Sequence, residues 1–136
     1  MAPSLDRIDH IHVFVADRAA SERWYERVLG LKRVPEFERW AAQGGPLTLA
    51  DDGGTVHLAL FERGLQPCRS TIAFGVGASA FLAWQQHLLA TLGQAVKVED
   101  HALSMSLYFS DPDGNPYEIT SYEYTALAKH IAASVA

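Results

Sequence analysis

In the stretch HIHVFVA, residues 10–16, apolar and polar positions alternate: Ile11, Val13 and Val15 fall on one side, His10, His12 and Phe14 on the other. A period of two with β-branched residues on one face predicts a strand with that face buried. Asp17 then stands where an N-cap belongs, and RAASERWYERVLG brings Trp24, Tyr25, Val28 and Leu29 onto one helical stripe that Gly30 ends. Three short segments follow, LKRVPEFERWAA, PLTLADD and TVHLALFE, parted by GG and DDGG, and they read as antiparallel strands joined by tight turns. After a turn-like GLQPCRS the order begins again. STIAFGVG is a strand with Ile72, Phe74 and Val76 on one face, and Ser79 caps a helix whose stripe is Phe81, Trp84, Leu88 and Leu92, closed by Gly93. QAVKVED, SMSLYFS and PYEITSY then read as strands, with DPDGN as the turn before the last and a short helix from Tyr124 onward.

The chain is thus α+β, a βαβββ order written twice. Aligning VHLALFE with YEITSYE pairs His57 with Glu118, Phe61 with Tyr122 and Glu62 with Glu123, and the same offset carries His10 onto Thr71. The expected organisation is one domain over residues 1–136, with modules at about 7–63 and 69–123 and a terminal helix at about 124–134. Burial should turn the aliphatic sets Ile11/Val13/Val15, Val56/Leu58/Leu60 and Ile72/Phe74/Val76 toward the helices. His10/His12/Phe14, His57/Ala59/Phe61, Thr71/Ala73/Gly75 and Glu118/Thr120/Tyr122 then share the opposite faces. Placed side by side, these faces line a trough with two imidazoles, a carboxylate and a hydroxyl.

Composition narrows what such a trough serves. The 136 residues are 49% apolar with a net charge of −5, which suits one globular domain and argues against nucleic acid or an anionic membrane as partner. Small molecules and proteins remain. No apolar run approaches the roughly 20 residues of a membrane span, and the polar start lacks a signal-peptide core, so a cytoplasmic location is expected. Cys68 is the only cysteine, so there is no disulfide framework and no cysteine partner for a thiolate zinc site.

DHIHVFVADRAASERWYERVLGL, TIAFGV and LYFSDPDGNPYEIT resemble the vicinal oxygen chelate superfamily, which includes glyoxalase I, bleomycin and fosfomycin resistance proteins and extradiol dioxygenases. The resemblance runs from about Ile8 to Tyr122 and implies an eight-stranded U-shaped cleft built from paired βαβββ modules, a homodimer, and a divalent metal at the base of the cleft. It places His10 at the first ligand position and Glu118 at the last. His57 falls where the glyoxalase I branch has a carboxylate ligand, and Thr71 where the second module usually carries a histidine. Two His and one Glu with open positions can hold Fe, Mn, Ni, Co or Zn. Lyase, isomerase or dioxygenase chemistry on a small oxygen-bearing molecule is what the resemblance implies, and His12, one pleat from His10, is the candidate general base.

The remaining candidates weigh pocket against packing. Phe14, Phe61, Tyr108 and Tyr122 form an aromatic wall for substrate, with Thr71 beside them as a cleft residue, or they pack as ordinary core. Trp24 and Trp84 belong to helical core stripes. Trp40 lines the cleft mouth or a dimer contact, and Arg39 receives an anionic group, or both are ordinary surface residues. His87, His101 and His130 read as surface or helix residues without a special role, and Asp111 and Asp113 as turn formers. Two functions stay open: a metal-dependent enzyme, and a metal-free protein that sequesters an aromatic or hydrophobic ligand as the bleomycin resistance proteins do. A thiol transferase of the fosfomycin type is the third, and Thr71 and the bulky His12 argue against it.

Overall fold

The computed structural model describes residues 1–64, 68 and 70–135, so the turn expected at GLQPCRS lies largely outside the described residues. The chain divides into two compact units, Met1–Gln66 and Pro67–Ala136. Each unit holds one four-stranded sheet and repeats the same strand order.

In the first unit, β1 (Ile11–Val15) leads into α1 (Arg18–Trp24), β2 (Lys32–Arg33), α2 (Glu38–Ala42), β3 (Leu47–Ala50) and β4 (His57–Glu62). The sheet order is β1-β4-β3-β2, with β1 parallel to β4 and the other pairs antiparallel. Asp17 caps α1 as expected, its Oδ1 accepting from the Ala20 amide at 3.0 Å. Glu62, from the end of β4, accepts from the Arg18 amide at 2.7 Å and places a second negative group at that helix start. The helix runs into a wider π turn over Tyr25–Leu29 and stops at Gly30, whose φ of +70° is left-handed. Its stripe of Trp24, Tyr25, Val28 and Leu29 is buried together with Val13, Val15, Leu47, Leu49, Leu58 and Leu60. Burying each such side chain stabilises by roughly 1.5–3 kcal/mol before entropy is counted.

LKRVPEFERWAA does not form the strand its position suggested. Only Lys32–Arg33 pair with β3; Pro35–Phe37 make a 3₁₀ turn and Glu38–Ala42 a short helix. Pro35 has its ring-fixed φ and no N–H, so it cannot continue a ladder but sits well in the first turn of a helix.

The second unit comprises β5 (Ile72–Gly75), α3 (Ala78–Leu92), β6 (Val98–Asp100), β7 (Met105–Ser110), β8 (Pro116–Ser121) and α4 (Tyr124–Val135), in sheet order β5-β8-β7-β6. Phe81 and Leu88 of α3 are fully buried, as are Leu107, Tyr117, Ile119 and Leu127. The cap of α3 is Gly77 and not Ser79. A Cβ at Gly77 would lie 2.8 Å from Glu123 Oε1, so a glutamate following the last strand again stands at a helix start, and the glycine makes room for it. In DPDGN, buried Asp111 accepts from the Asp113 and Asn115 amides at 2.9 Å each and from Asn115 Nδ2 at 2.8 Å. These aspartates form the turn, as the sequence indicated. Among the described residues no helix is long and apolar enough to cross a membrane.

The register corrects the single-offset alignment of the two halves. β1 and β4 pair Ile11 with Leu58 and His12 with Ala59; β5 and β8 pair Ile72 with Tyr117 and Ala73 with Glu118. Ala73 is therefore the counterpart of His12, and Glu118 that of Ala59 rather than of His57. The neighbouring strand agrees, with Thr48 opposite Ala59 and Tyr108 opposite Glu118. The slip is two residues, so every side chain keeps its face while moving one rung along the ladder.

Candidate functional site

Strand parity brings the first unit's candidates onto one face. His12 pairs with Ala59 and Phe14 with Phe61, while one position ahead of the Ile11–Leu58 pair stand His10 and His57. The aliphatic partners Val13, Leu60 and Leu47 take the helix side. On the histidine face, the rings of His10 and His12 stack with centroids 5.0 Å apart, and His12 leans on Phe61 at 4.7 Å. Phe14 meets the same Phe61 at 5.8 Å, and the Arg63 guanidinium lies 4.8 Å from its ring centre, a cation–π contact. Both Phe14 and Phe61 are half-buried; His10 and His12 are exposed, and His57 is half-buried.

Hydrogen bonds set how the imidazoles are presented. His10 Nδ1 lies 2.8 Å from Asp9 Oδ2, and its Nε2 lies 3.1 Å from His12 Nε2. An ionised carboxylate only accepts, so Nδ1 of His10 carries a proton, and in the tautomer that this fixes the ring's lone pair is on Nε2. His12 then donates its Nε2–H to that lone pair, which leaves the His12 lone pair on Nδ1. Arg7 Nη2 holds the other Asp9 oxygen at 3.2 Å. The Asp9 carboxyl is pulled below its ordinary pKa, first by the His10 hydrogen bond and further by the Arg7 charge.

In the second unit Glu118 is half-buried between Ala73 and Tyr108. The fully buried Ser106 donates its hydroxyl to Glu118 Oε2 at 2.6 Å, and Thr120 Oγ1 lies 3.0 Å from the same Ser106 oxygen. A bond that short to a carboxylate is charge-assisted and fixes the side chain's rotamer. Tyr108 is exposed, with its hydroxyl 3.0 Å from His101 Nε2. Tyr122 and Thr71 are also exposed, and Thr71 precedes β5 on the Ala73 face.

The structure therefore gathers His10 with His12, and Phe14 with Phe61, in the first unit, and sets Glu118 beside Tyr108 in the second. Among the described residues, no group of three or more His, Cys, Asp or Glu side chains is assembled to hold a metal ion. Sequence reading missed Asp9 and Ser106, and gave His101 no special role. Asp9 was legible as an acid next to a candidate ligand, and Ser106 as a polar residue inside an otherwise apolar strand. The His101 contact depends on the β6–β7 turn, where Ala102 adopts φ +69° and Asp100 accepts from its amide at 2.8 Å. Trp40 stacks flat on Phe37 at 4.4 Å, and Arg39 lines a cavity described below.

A family model for the Glyoxalase/Bleomycin resistance protein/Dioxygenase superfamily matches residues 7–119. Among solved structures, a glyoxylase/bleomycin resistance protein/dioxygenase domain from Frankia sp. EAN1pec matches at TM-score 0.69 and 22% identity, covering 88% of this chain and 93% of that one. A glyoxalase/dioxygenase from Nostoc punctiforme matches at TM-score 0.67 and 21% identity, with 90% and 95% coverage. A virulence protein from Salmonella typhimurium matches at TM-score 0.60 and 26% identity, with 88% and 99% coverage. No match to the sequence was found among curated proteins.

Proposed function

Because the chain belongs to the Glyoxalase/Bleomycin resistance protein/Dioxygenase superfamily, we propose that it is a metal-dependent enzyme acting on a small oxygen-bearing molecule. In this reading His10, His57 and Glu118 are the metal ligands, and His12 handles the proton. The observation that supports it is the Asp9–His10 pair: a carboxylate on Nδ1 leaves Nε2, which His12 now occupies, as the nitrogen a metal would take, and metal-ligating histidines use such a carboxylate partner. The donor set suits the chemistry, since imidazole and carboxylate together serve Fe, Mn, Ni, Co and Zn. When bound, such an ion supplies Lewis acidity to neighbouring substrate oxygens.

The chain's own residues divide the remaining work. Asp9 holds the His10 tautomer. Ser106 fixes Glu118 through Oε2. His12, with its lone pair on Nδ1, is placed as a general base one pleat from His10. Phe14, Phe61, Thr71, Tyr108 and Tyr122 contact the substrate, and lyase, isomerase and dioxygenase outcomes are all compatible with these roles. The reading includes a homodimer in the cytoplasm.

Titration of the chelator-stripped protein with Mn(II), Fe(II), Ni(II) and Zn(II) tests it. Near one-to-one binding that is lost in His10→Ala, His57→Ala and Glu118→Gln but kept in His12→Gln is the expected result. Absence of binding by the wild type for all four ions overturns it. A second reading has an observation of its own, the continuous ladder of His12, Phe61, Phe14 and Arg63, which suits a planar ligand held without metal. A flat aromatic probe that binds equally well with and without chelator, and loses affinity in Phe61→Ala, favours this alternative.

A further inference from the structure

A cavity of about 530 Å³ opens on the helix side of the first unit, between α1, β2 and α2. Its volume falls within the roughly 300–1,000 Å³ usual for small-molecule sites. The floor is Leu47 with three alanines, and the walls carry three guanidinium groups, Arg18, Arg33 and Arg39, and two carboxylates, Glu22 and Glu38. Leu47 pairs with Leu60, the partner of Val13, so the cavity lies on the sheet face opposite His10 and His12. It is a different place from the candidate site above.

The charges in its wall are unequally partnered. Arg33 spends Nε and Nη2 on both oxygens of Glu22, at 2.6 and 2.7 Å, and its Nη1 approaches Glu38 at 3.7 Å. Both acids are thereby engaged by one arginine. Arg18 is held differently: its Nη1 donates to the Gly45 carbonyl at 2.8 Å, a neutral acceptor, and Glu22, whose oxygens Arg33 occupies, reaches its charge only through space. Gly45 in turn donates its amide to Trp40 O at 2.7 Å, and a Cβ there would lie 2.9 Å from that oxygen. The close approach folds the segment that follows α2, the helix carrying Arg39, back toward Arg18. Among the described residues Arg39 has no acidic partner. Two guanidinium groups from separate helices thus line one cavity, one of them held in place by a carbonyl and neither in a direct ion pair among the described residues.

We propose that this cavity is a binding site for the oxyanion end of a small molecule, a phosphoryl or carboxylate group, with Arg18 and Arg39 as its cationic walls. A guanidinium presents a fork of donors that matches either group in two parallel hydrogen bonds. The Arg33–Glu22 pair serves as the rigid side of the site, and the alanines leave room for the rest of the ligand.

Calorimetric titration of the full chain with inorganic phosphate and with malonate, against chloride at equal ionic strength, tests the proposal. Saturable binding of at least one probe is expected, weakened at least about tenfold in Arg39→Gln and unchanged in Arg27→Gln, since one hydrogen bond to a charged group is worth that much. Phosphate binding alone assigns a phosphoryl ligand, malonate alone a carboxylate, and either supports the site. Arg18→Gln also removes the Gly45 tether, so Arg39→Gln is the decisive variant. The proposal is overturned if neither probe saturates, if Arg39→Gln binds like wild type, or if His10→Ala abolishes binding and so moves it to the histidine face.

Discussion

Ser106→Ala tests whether the Glu118 carboxylate is held in place or merely exposed to what surrounds it. Ser106 is fully buried, its hydroxyl donates to Glu118 Oε2 at 2.6 Å, and Thr120 Oγ1 is 3.0 Å away. Removing a donor from a charged acceptor costs about 1.5–3 kcal/mol when nothing replaces it. Glu118 is half-buried, so water can take up part of the loss, and the net destabilisation should be about 1–2 kcal/mol. For a chain of this size that corresponds to a melting temperature lower by roughly 3–8 °C. Urea unfolding followed by tryptophan fluorescence gives the free energy, and a cycle with Glu118→Gln isolates the pair: a coupling of about 0.5–3 kcal/mol is expected between groups in contact. A loss below about 0.5 kcal/mol, the level of an ordinary surface substitution, with zero coupling to Glu118, would refute the claim that this serine positions the carboxylate.

Three further outcomes follow from other contacts. The Glu22 carboxyl lies below its ordinary pKa of 4.5, chiefly through the Arg33 hydrogen bonds, so its stabilisation is complete above that value and is lost as pH falls through the lower folded value. Since Arg33 is 48% exposed, the contribution is at most about 1 kcal/mol; urea midpoints should fall less steeply below about pH 4.5 in Arg33→Gln than in wild type, and parallel acid limbs would contradict this. Asp9→Asn should weaken Ni(II) binding by about tenfold or more through the misdirected His10 ring, while thermal stability stays unchanged because the pair is exposed; equal affinity in calorimetry would dismiss the orienting role. Asp111→Ala strips three hydrogen bonds from a buried turn and should cost about 2–4 kcal/mol, with faster hydrogen exchange at the Asn115 amide; a cost under about 1 kcal/mol would mean that the turn holds without its carboxylate.

Where local chemistry decides the conformation, the sequence was readable. Asp17 before an amphipathic run, Gly30 and Gly93 after one, and DPDGN between two strands all do what their side chains or missing side chains allow, and the helices end where those residues stand. The division of His10, His12 and Phe14 from Val13 and Val15 followed from parity alone. The failures share a different cause. PEFERWAA is helical because Pro35 favours a first turn more than a ladder, although its place between strands argued for a strand. Gly77, the cap of α3, has Glu123 Oε1 2.8 Å from where a Cβ would stand, a neighbour 46 positions away that no local pattern announces. Asp9 and His101 acquire partners only when the backbone aims their rings and carboxylates, which composition does not encode.

The register of the two sheets shows how far a repeat can be trusted. An offset that aligns the first strands, His12 onto Ala73, misaligns the last ones, because each of two connections in the second half is one residue shorter and the ladders accumulate a slip of two. Two is the period of a strand, so the slip leaves the apolar pattern intact and is invisible to any argument from burial. It does move the chemistry. On the rung where the first unit has His12, Ala59 and Thr48, the second has Ala73, Glu118 and Tyr108. The imidazole of one half faces a methyl group across its ladder, and the carboxylate of the other does the same. Equivalent rungs have thus diverged in chemistry, with an imidazole on a first strand in one unit and a carboxylate on a last strand in the other, while the apolar pattern beneath them stayed the same.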